Sequence, residues 1–135
     1  MEIKVIEEMA KNARLLNYEQ LDLIPATSGV YTAWLDTEAR CFYVGKAMNM
    51  KDRIKSHFGG QRGSDQFCLY VYDTYLHDQR CRLAKTMTTR QVNDMTAHWI
   101  QEKVRFRCVE LPEEELSDAE RYLKRAWKPI LPFKE

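Results

Sequence analysis

Long apolar runs are missing from this chain. No stretch approaches eighteen consecutive apolar residues, which excludes a membrane-spanning helix, and no leader pattern opens the sequence, so a soluble, cytoplasmic protein with no membrane partner is expected. A C-x-x-C pair is missing too. Cys41, Cys68, Cys81 and Cys108 are widely spaced, which argues against zinc ligation and for small buried apolar residues in a reducing cell. Nor is there an excess of one charge: 21 Lys and Arg face 20 Asp and Glu, a formal net charge of +1. Any grip on nucleic acid must then come from a local cluster, or from a targeting domain or partner protein that supplies it. Repeats and low-complexity tracts are absent. What remains is 135 residues, 44% hydrophobic and 11% aromatic, enough to bury one core and consistent with a single domain over 1–135.

Two strings twelve residues apart, Gly29-Val30-Tyr31 and Tyr43-Val44-Gly45, each set a tyrosine beside a glycine at the end of a strand-like segment. Ser28 to Leu35 and Arg40 to Gly45 are rich in β-branched and aromatic residues, and Asp36-Thr37-Glu38-Ala39 between them reads as a turn, which predicts an antiparallel hairpin. Alternation puts Tyr31, Ala33 and Leu35 on one face of the first strand and Cys41, Tyr43 and Gly45 on one face of the second. Two phenols then stand side by side, and Gly45 allows a backbone such as that of a nucleic acid to approach closely. On the residues alone, simple packing of the two tyrosines accounts for the same pattern.

A short helix follows. Asn49 is an N-cap candidate, and Met50, Ile54 and Phe58 recur at i, i+4, i+8 as a buried stripe. Arg53 and His57, one turn apart, form a second stripe beside it. From Lys46 to Arg62 there are five basic residues, Lys46, Lys51, Arg53, Lys55 and Arg62, and the single acid Asp52. Such a patch on an otherwise neutral chain is suited to an anion. Near the end of the chain, Ser117-Asp118-Ala119-Glu120 reads as a capping box ahead of the apolar stripe Ala119, Tyr122, Leu123, Ala126, Trp127, with Pro129 as terminator. In that role Glu120 contributes about 1 kcal/mol or less to a helix end. The same carboxylate can instead serve as a lone oxygen ligand.

Taken together, GVY, YVGK, Arg53 ten residues after Tyr43, and His57 four further on resemble the start of the GIY-YIG nuclease superfamily. The string SGVY…FYVGKAMNMKDRIKSHF is most similar to the amino-terminal nuclease domain of the bacterial excinuclease subunit that makes the 3′ incision. Glu120 followed by Leu123 at +3 and Pro129 at +9 matches the family pattern, whereas +12 is Pro132 where the family has asparagine. The resemblance implies a divalent-metal-dependent DNA endonuclease of repair, recombination or mobile elements. Tyr31, Tyr43, Arg53, His57 and Glu120 are then the catalytic set, and Gly45, Lys46, Lys51, Lys55 and Arg62 contact substrate. Glu120 would hold one hydrated Mg²⁺ or Mn²⁺, and Arg53 would clamp the scissile phosphate. Tyr31 is the base by resemblance, yet an ordinary tyrosine is ionised only about one part in a thousand at pH 7. Lys46, Arg53 or the metal must depress its pKa, or His57 must share the proton's route. The departure at Pro132 keeps open a catalytically silent nucleic-acid-binding module of the same fold.

Elsewhere, Glu2 to Tyr18 reads as an amphipathic helix within an N-terminal extension, 1–25. Residues 59–103 form an insertion: a glycine loop, a strand from Phe67 to Tyr72, a basic run at Arg80, Arg82, Lys85 and Arg90, and a helix opened by Thr88-Thr89-Arg90-Gln91. Val104 to Leu111 is a last strand. The fold class predicted is α+β, a small and mainly antiparallel sheet of three to four strands flanked by helices.

Overall fold

The segments richest in β-branched and aromatic residues do form the sheet. In the computed structural model, which describes residues 2–36, 40–78 and 87–131, they are β1 (Gly29–Leu35), β2 (Cys41–Ala47) and β3 (Val104–Glu110). All pairing is antiparallel in the order β2-β1-β3, so β1 is central. Of the turn predicted at 36–39, only Asp36 lies within the described residues.

Pairing along the hairpin is interrupted once. Ala33 sits opposite Tyr43 but Trp34 sits opposite Cys41, so Phe42 is an extra residue, a bulge. This overturns the expectation that Cys41 and Tyr43 share a face. Phe42 and Tyr43 both join the cluster around Tyr31, and Cys41 is turned to the other face with Val30 and Val44.

Each face of the sheet is covered by helices. Against the Tyr31 face lie α2 (Met50–Phe58), α3 (Gln66–Val71) and α4 (Thr89–Lys103), which bury Ile54, Phe67, Val92 and Ile100 around Phe106. Against the other face lie α1 (Ile3–Asn12) and α5 (Leu116–Trp127), which bury Ile6, Ala10, Ala119 and Leu123 on Val30, Val44 and Val109. The helix starts follow from their first residues. Asn49 accepts the Asp52 amide at the head of α2, and Thr88 and Gln91 make the predicted capping box on α4.

Three expectations are corrected. Phe67 to Tyr72 is helical, not a strand: Asp65 caps it, Phe67, Cys68 and Val71 bury one helical side, and a π turn, Tyr72–Leu76, continues it. The first helix ends at Asn12, because the chain beyond it is extended enough for Leu16 to bridge Phe106 of β3. Finally, α5 begins at Leu116, directly after a 3-10 turn at Glu113–Glu115, and has no side-chain cap. Ser117 therefore lies inside the first turn and the Ser117–Glu120 capping box does not form. Past Trp127 the chain reverses at Lys128, which adopts a left-handed φ of 44°, and the Leu131 amide donates to the Phe42 carbonyl at 2.7 Å along the outer edge of β2. Cys81, Arg80, Arg82, Lys85 and Pro132 lie outside the described residues.

Candidate active site

The site is built on the central strand. Tyr31 lies opposite Gly45, and its ring occupies the space a side chain there would need: a Cβ on Gly45 would fall 2.5 Å from Tyr31 Cζ and 2.6 Å from its hydroxyl oxygen. Gly45 is thus explained first by the phenol packed over it. Tyr43, one diagonal step away, brings its ring centroid to 6.3 Å from that of Tyr31. Tyr31 is only 1% exposed, and its hydroxyl lies 2.7 Å from Nε2 of His57.

His57 comes from the last turn of α2 and is itself 2% exposed, enclosed by Phe67, Phe106 and the two tyrosines. Its second nitrogen, Nδ1, lies 3.0 and 2.9 Å from the two carboxylate oxygens of Asp65. Asp65 also accepts hydrogen bonds from Ser56 Oγ at 2.7 Å and from the Cys68 amide at 3.1 Å. Reasoning from sequence missed Asp65. The signal was there, an aspartate directly ahead of an apolar helical pattern, but the strand predicted at Phe67 to Tyr72 concealed it.

The electrostatics of this row are consistent. Burial pushes the Asp65 carboxyl up, yet hydrogen bonds from His57, Ser56 and Cys68 outweigh it and hold the group well below the usual carboxylate range. Burial lowers the His57 pKa, with Arg53 adding to the effect and Asp65 opposing it, so the imidazole is neutral at pH 7. Burial also raises Tyr31 well above an ordinary phenol, with Tyr43 and Asp65 raising it further and Arg53 opposing. Tyr43 is pushed up to about 12, by burial first, against Arg53 and together with Glu120 and Asp65. Of the protein groups expected to depress the Tyr31 pKa, Arg53 does act in that direction but is outweighed: removing a phenol from water disfavours the phenolate more than one guanidinium favours it. Of the two routes considered, sharing of the proton with His57 is the one the geometry offers.

Beside this buried row opens a cleft of about 700 Å³ whose lining includes Lys46, Asn49, Asp52, Arg53, Ser56 and Ser117. It separates the start of α2 from the start of α5, and Lys46 spans it by donating to Ser117 Oγ at 2.9 Å. The other basic candidates lie apart from it. Lys51 reaches the Asp22 carbonyl at 3.4 Å, Lys55 is exposed, and Arg62 donates to Asn93 at 2.7 Å while its guanidinium lies 4.5 Å from the Tyr72 ring centroid.

Glu120 projects from the second turn of α5 with its side chain 20% exposed, 3.7 Å from Lys124, and its charge is felt at Tyr43. Relieved of a capping role, this carboxylate is available as a ligand. Among the described residues no three His, Cys, Asp or Glu side chains group as a metal cage. Glu120 is not among the residues that line the cleft. A lone hard oxygen donor suits an ion that keeps most of its waters and takes phosphate oxygens, as Mg²⁺ and Mn²⁺ do, and does not suit zinc.

The family model for the UvrC-like GIY-YIG domain matches residues 27–100. UvrABC system protein C of Salinibacter ruber is 40% identical over 47 residues, which is 35% of this chain and 7% of that protein, so the chain spans a small part of its relative. Among solved structures, the GIY-YIG N-terminal endonuclease domain of UvrC from Thermotoga maritima, as a point mutant bound to the catalytic divalent cation, aligns over 96% of this chain and 94% of that one, at 15% identity and TM-score 0.39. The same domain bound to magnesium aligns over 96% of each chain at 15% identity and TM-score 0.37.

Proposed function

Since the chain belongs to the family of UvrC-like GIY-YIG domains, we propose that it is a divalent-metal-dependent endonuclease that hydrolyses phosphodiester bonds in DNA, in a repair, recombination or mobile-element setting in the cytoplasm. The observation that carries this reading is the 2.7 Å contact between the Tyr31 hydroxyl and a neutral, buried His57, next to the cleft lined by Arg53. A phenol with a raised pKa is a poor base alone. Bonded to a neutral imidazole it need never become phenolate: it accepts the proton of the attacking water as it passes its own to Nε2. Arg53 takes two oxygens of the scissile phosphate in its planar fork, and Lys46 and the cleft around it receive the neighbouring backbone. Tyr43 orients the phosphate or the water. Glu120 would hold one Mg²⁺ or Mn²⁺, which when bound supplies charge neutralisation at the phosphate and the leaving oxygen. With a net charge of +1, a targeting domain or a partner protein supplies much of the affinity for DNA. Residues 1–135 act as one nuclease domain, with 1–25 as its N-terminal extension and 59–103 as its insertion.

A second reading, a binding module that does not cut, is favoured by two observations: Tyr31 is 1% exposed, and Pro132 stands where the resemblance places asparagine. Supercoiled plasmid incubated with the protein and Mg²⁺ or Mn²⁺, alongside Glu120→Gln, separates the two. The nuclease reading expects nicking by the unaltered protein and its loss in the variant at an unchanged melting temperature. Retention of DNA without nicking by either protein supports the binding module, and equal nicking by both removes Glu120 from the reaction.

A further inference from the structure

We propose that Asp65 is a positioning residue: its carboxylate holds His57 in the tautomer that carries hydrogen on Nδ1, which leaves Nε2 free to accept the Tyr31 proton. The inference rests on the nuclease reading for its consequence and on atomic geometry alone for the tautomer.

The three groups form one continuous line through the core. Tyr31 oxygen to His57 Nε2 is 2.7 Å, and His57 Nδ1 to Asp65 Oδ2 is 2.9 Å. Tyr31, His57 and Asp65 are 1, 2 and 6% exposed, so the row lies within the core. An ionised carboxylate can only accept, hence Nδ1 must donate, and a neutral ring then presents Nε2 as an acceptor. The other groups around the ring leave this order intact. Tyr43 meets it through its own ring, Phe67 and Phe106 are apolar, Arg53 one turn back on α2 is a cation, and Cys68 of α3 directs its thiol to the His57 carbonyl at 3.2 Å. During hydrolysis the water oxygen forms its bond to phosphorus and its proton goes to the Tyr31 oxygen. The Tyr31 proton goes to Nε2, the resulting imidazolium lies against Asp65, and the bond from phosphorus to the leaving oxygen breaks. The leaving oxygen departs as an alkoxide that takes a proton from solvent water, and the imidazolium gives its proton back through the Tyr31 oxygen to solvent, which restores the starting state.

Asparagine at position 65 tests this sharply because the surroundings dictate its orientation. The Cys68 amide donates to Oδ1, so the amide oxygen of Asn must stay there to cap α3. The amide nitrogen is thereby placed at the Oδ2 position, 2.9 Å from His57 Nδ1, where it opposes an Nδ1–H, and the Oδ1 position, 3.0 Å from Nδ1, is already engaged by the Cys68 amide and carries less charge in Asn than in the carboxylate. The ring escapes by moving its hydrogen to Nε2, and the Tyr31 hydroxyl then faces a donor.

The chain contains three histidines, so selectively ¹⁵N-labelled histidine yields a small, assignable set of signals. The unaltered protein is expected to show His57 protonated at Nδ1 and bare at Nε2 at neutral pH, and Asp65→Asn is expected to show the reverse with α3 still formed. Plasmid nicking should fall by roughly 10²-fold or more in Asp65→Asn, the scale expected for a histidine held in the wrong tautomer, mainly in kcat. A bare Nδ1 in the unaltered protein, or a tautomer that Asp65→Asn leaves as it was, overturns the inference. So does full nicking by an Asp65→Asn protein whose tautomer has switched while Tyr31→Phe is inactive. If the unaltered protein does not nick at all, it is the nuclease reading that fails, and the nitrogen signals still decide the role of Asp65.

Discussion

Gly45→Ala probes the site through packing alone. Among the described residues the only glycine at positive φ is Gly60, so the Gly45 backbone accepts alanine, and in open space the change would stabilise the fold by about 0.4–1 kcal/mol through the unfolded chain. The obstacle is Tyr31. The new Cβ would lie 2.5 Å from Cζ, 2.6 Å from the hydroxyl oxygen and 2.9 Å from Cε2, inside contact distance for all three. The ring cannot step aside without losing the 2.7 Å bond to His57 or pressing on Phe106, whose centroid is 6.0 Å away. Overpacking of this kind costs about 1–3 kcal/mol. Urea unfolding of Gly45→Ala should therefore show a lower midpoint at an unchanged slope. In a Tyr31→Leu background, where Cζ and the hydroxyl are gone, the same substitution should be neutral or mildly stabilising. The coupling between the two positions is then about 1–4 kcal/mol, well beyond the roughly 0.5 kcal/mol seen for independent sites. Equal losses in both backgrounds would refute the claim that the phenol is what requires glycine.

Asn49→Ala should lower stability by about 1 kcal/mol in a urea melt, since it removes the acceptor for the Asp52 amide at the start of α2. Stability should fall on acidification in two windows. Folding depresses His57 from its ordinary 6.5, so the unfolded chain binds the extra proton first and stability drops as pH falls below about 6.5; Asp65 is depressed from 3.8, and its contribution is lost only below about 3.8. Melting temperatures at a series of pH values check both, and in Asp65→Asn the lower window should shrink. Glu120→Gln should melt within about 0.5 kcal/mol of the unaltered protein, because among the described residues its ion pair is the i,i+4 contact to Lys124.

Local patterns carried much of this. The hairpin, the stripe of Met50, Ile54 and Phe58, the caps at Asn49 and Thr88 and the last strand were legible because each depends on neighbours within a few residues, where propensity and period act. Where the pattern misled, a longer-range contact had won. The stretch from Phe67 to Tyr72 has strand-like composition, but Asp65 caps it as a helix while satisfying Ser56 and His57, partners eight and nine residues back. The Ser117 cap was lost because the preceding 3-10 turn extends α5 backward, which frees Ser117 for Lys46, 71 residues away.

By itself the sequence determined the chemistry on offer: two phenols, a guanidinium, an imidazole and a carboxylate at family spacing, on a chain without excess charge. It could not determine how those groups are solvated. Only the folded chain encloses Tyr31 over Gly45, lifts its pKa rather than lowering it, and sets Asp65 behind His57. The physical reason is that the cost of removing a charge from water depends on everything packed around it, and that surrounding is assembled from β1, β2, α2 and α3 together, not from any one stretch of residues.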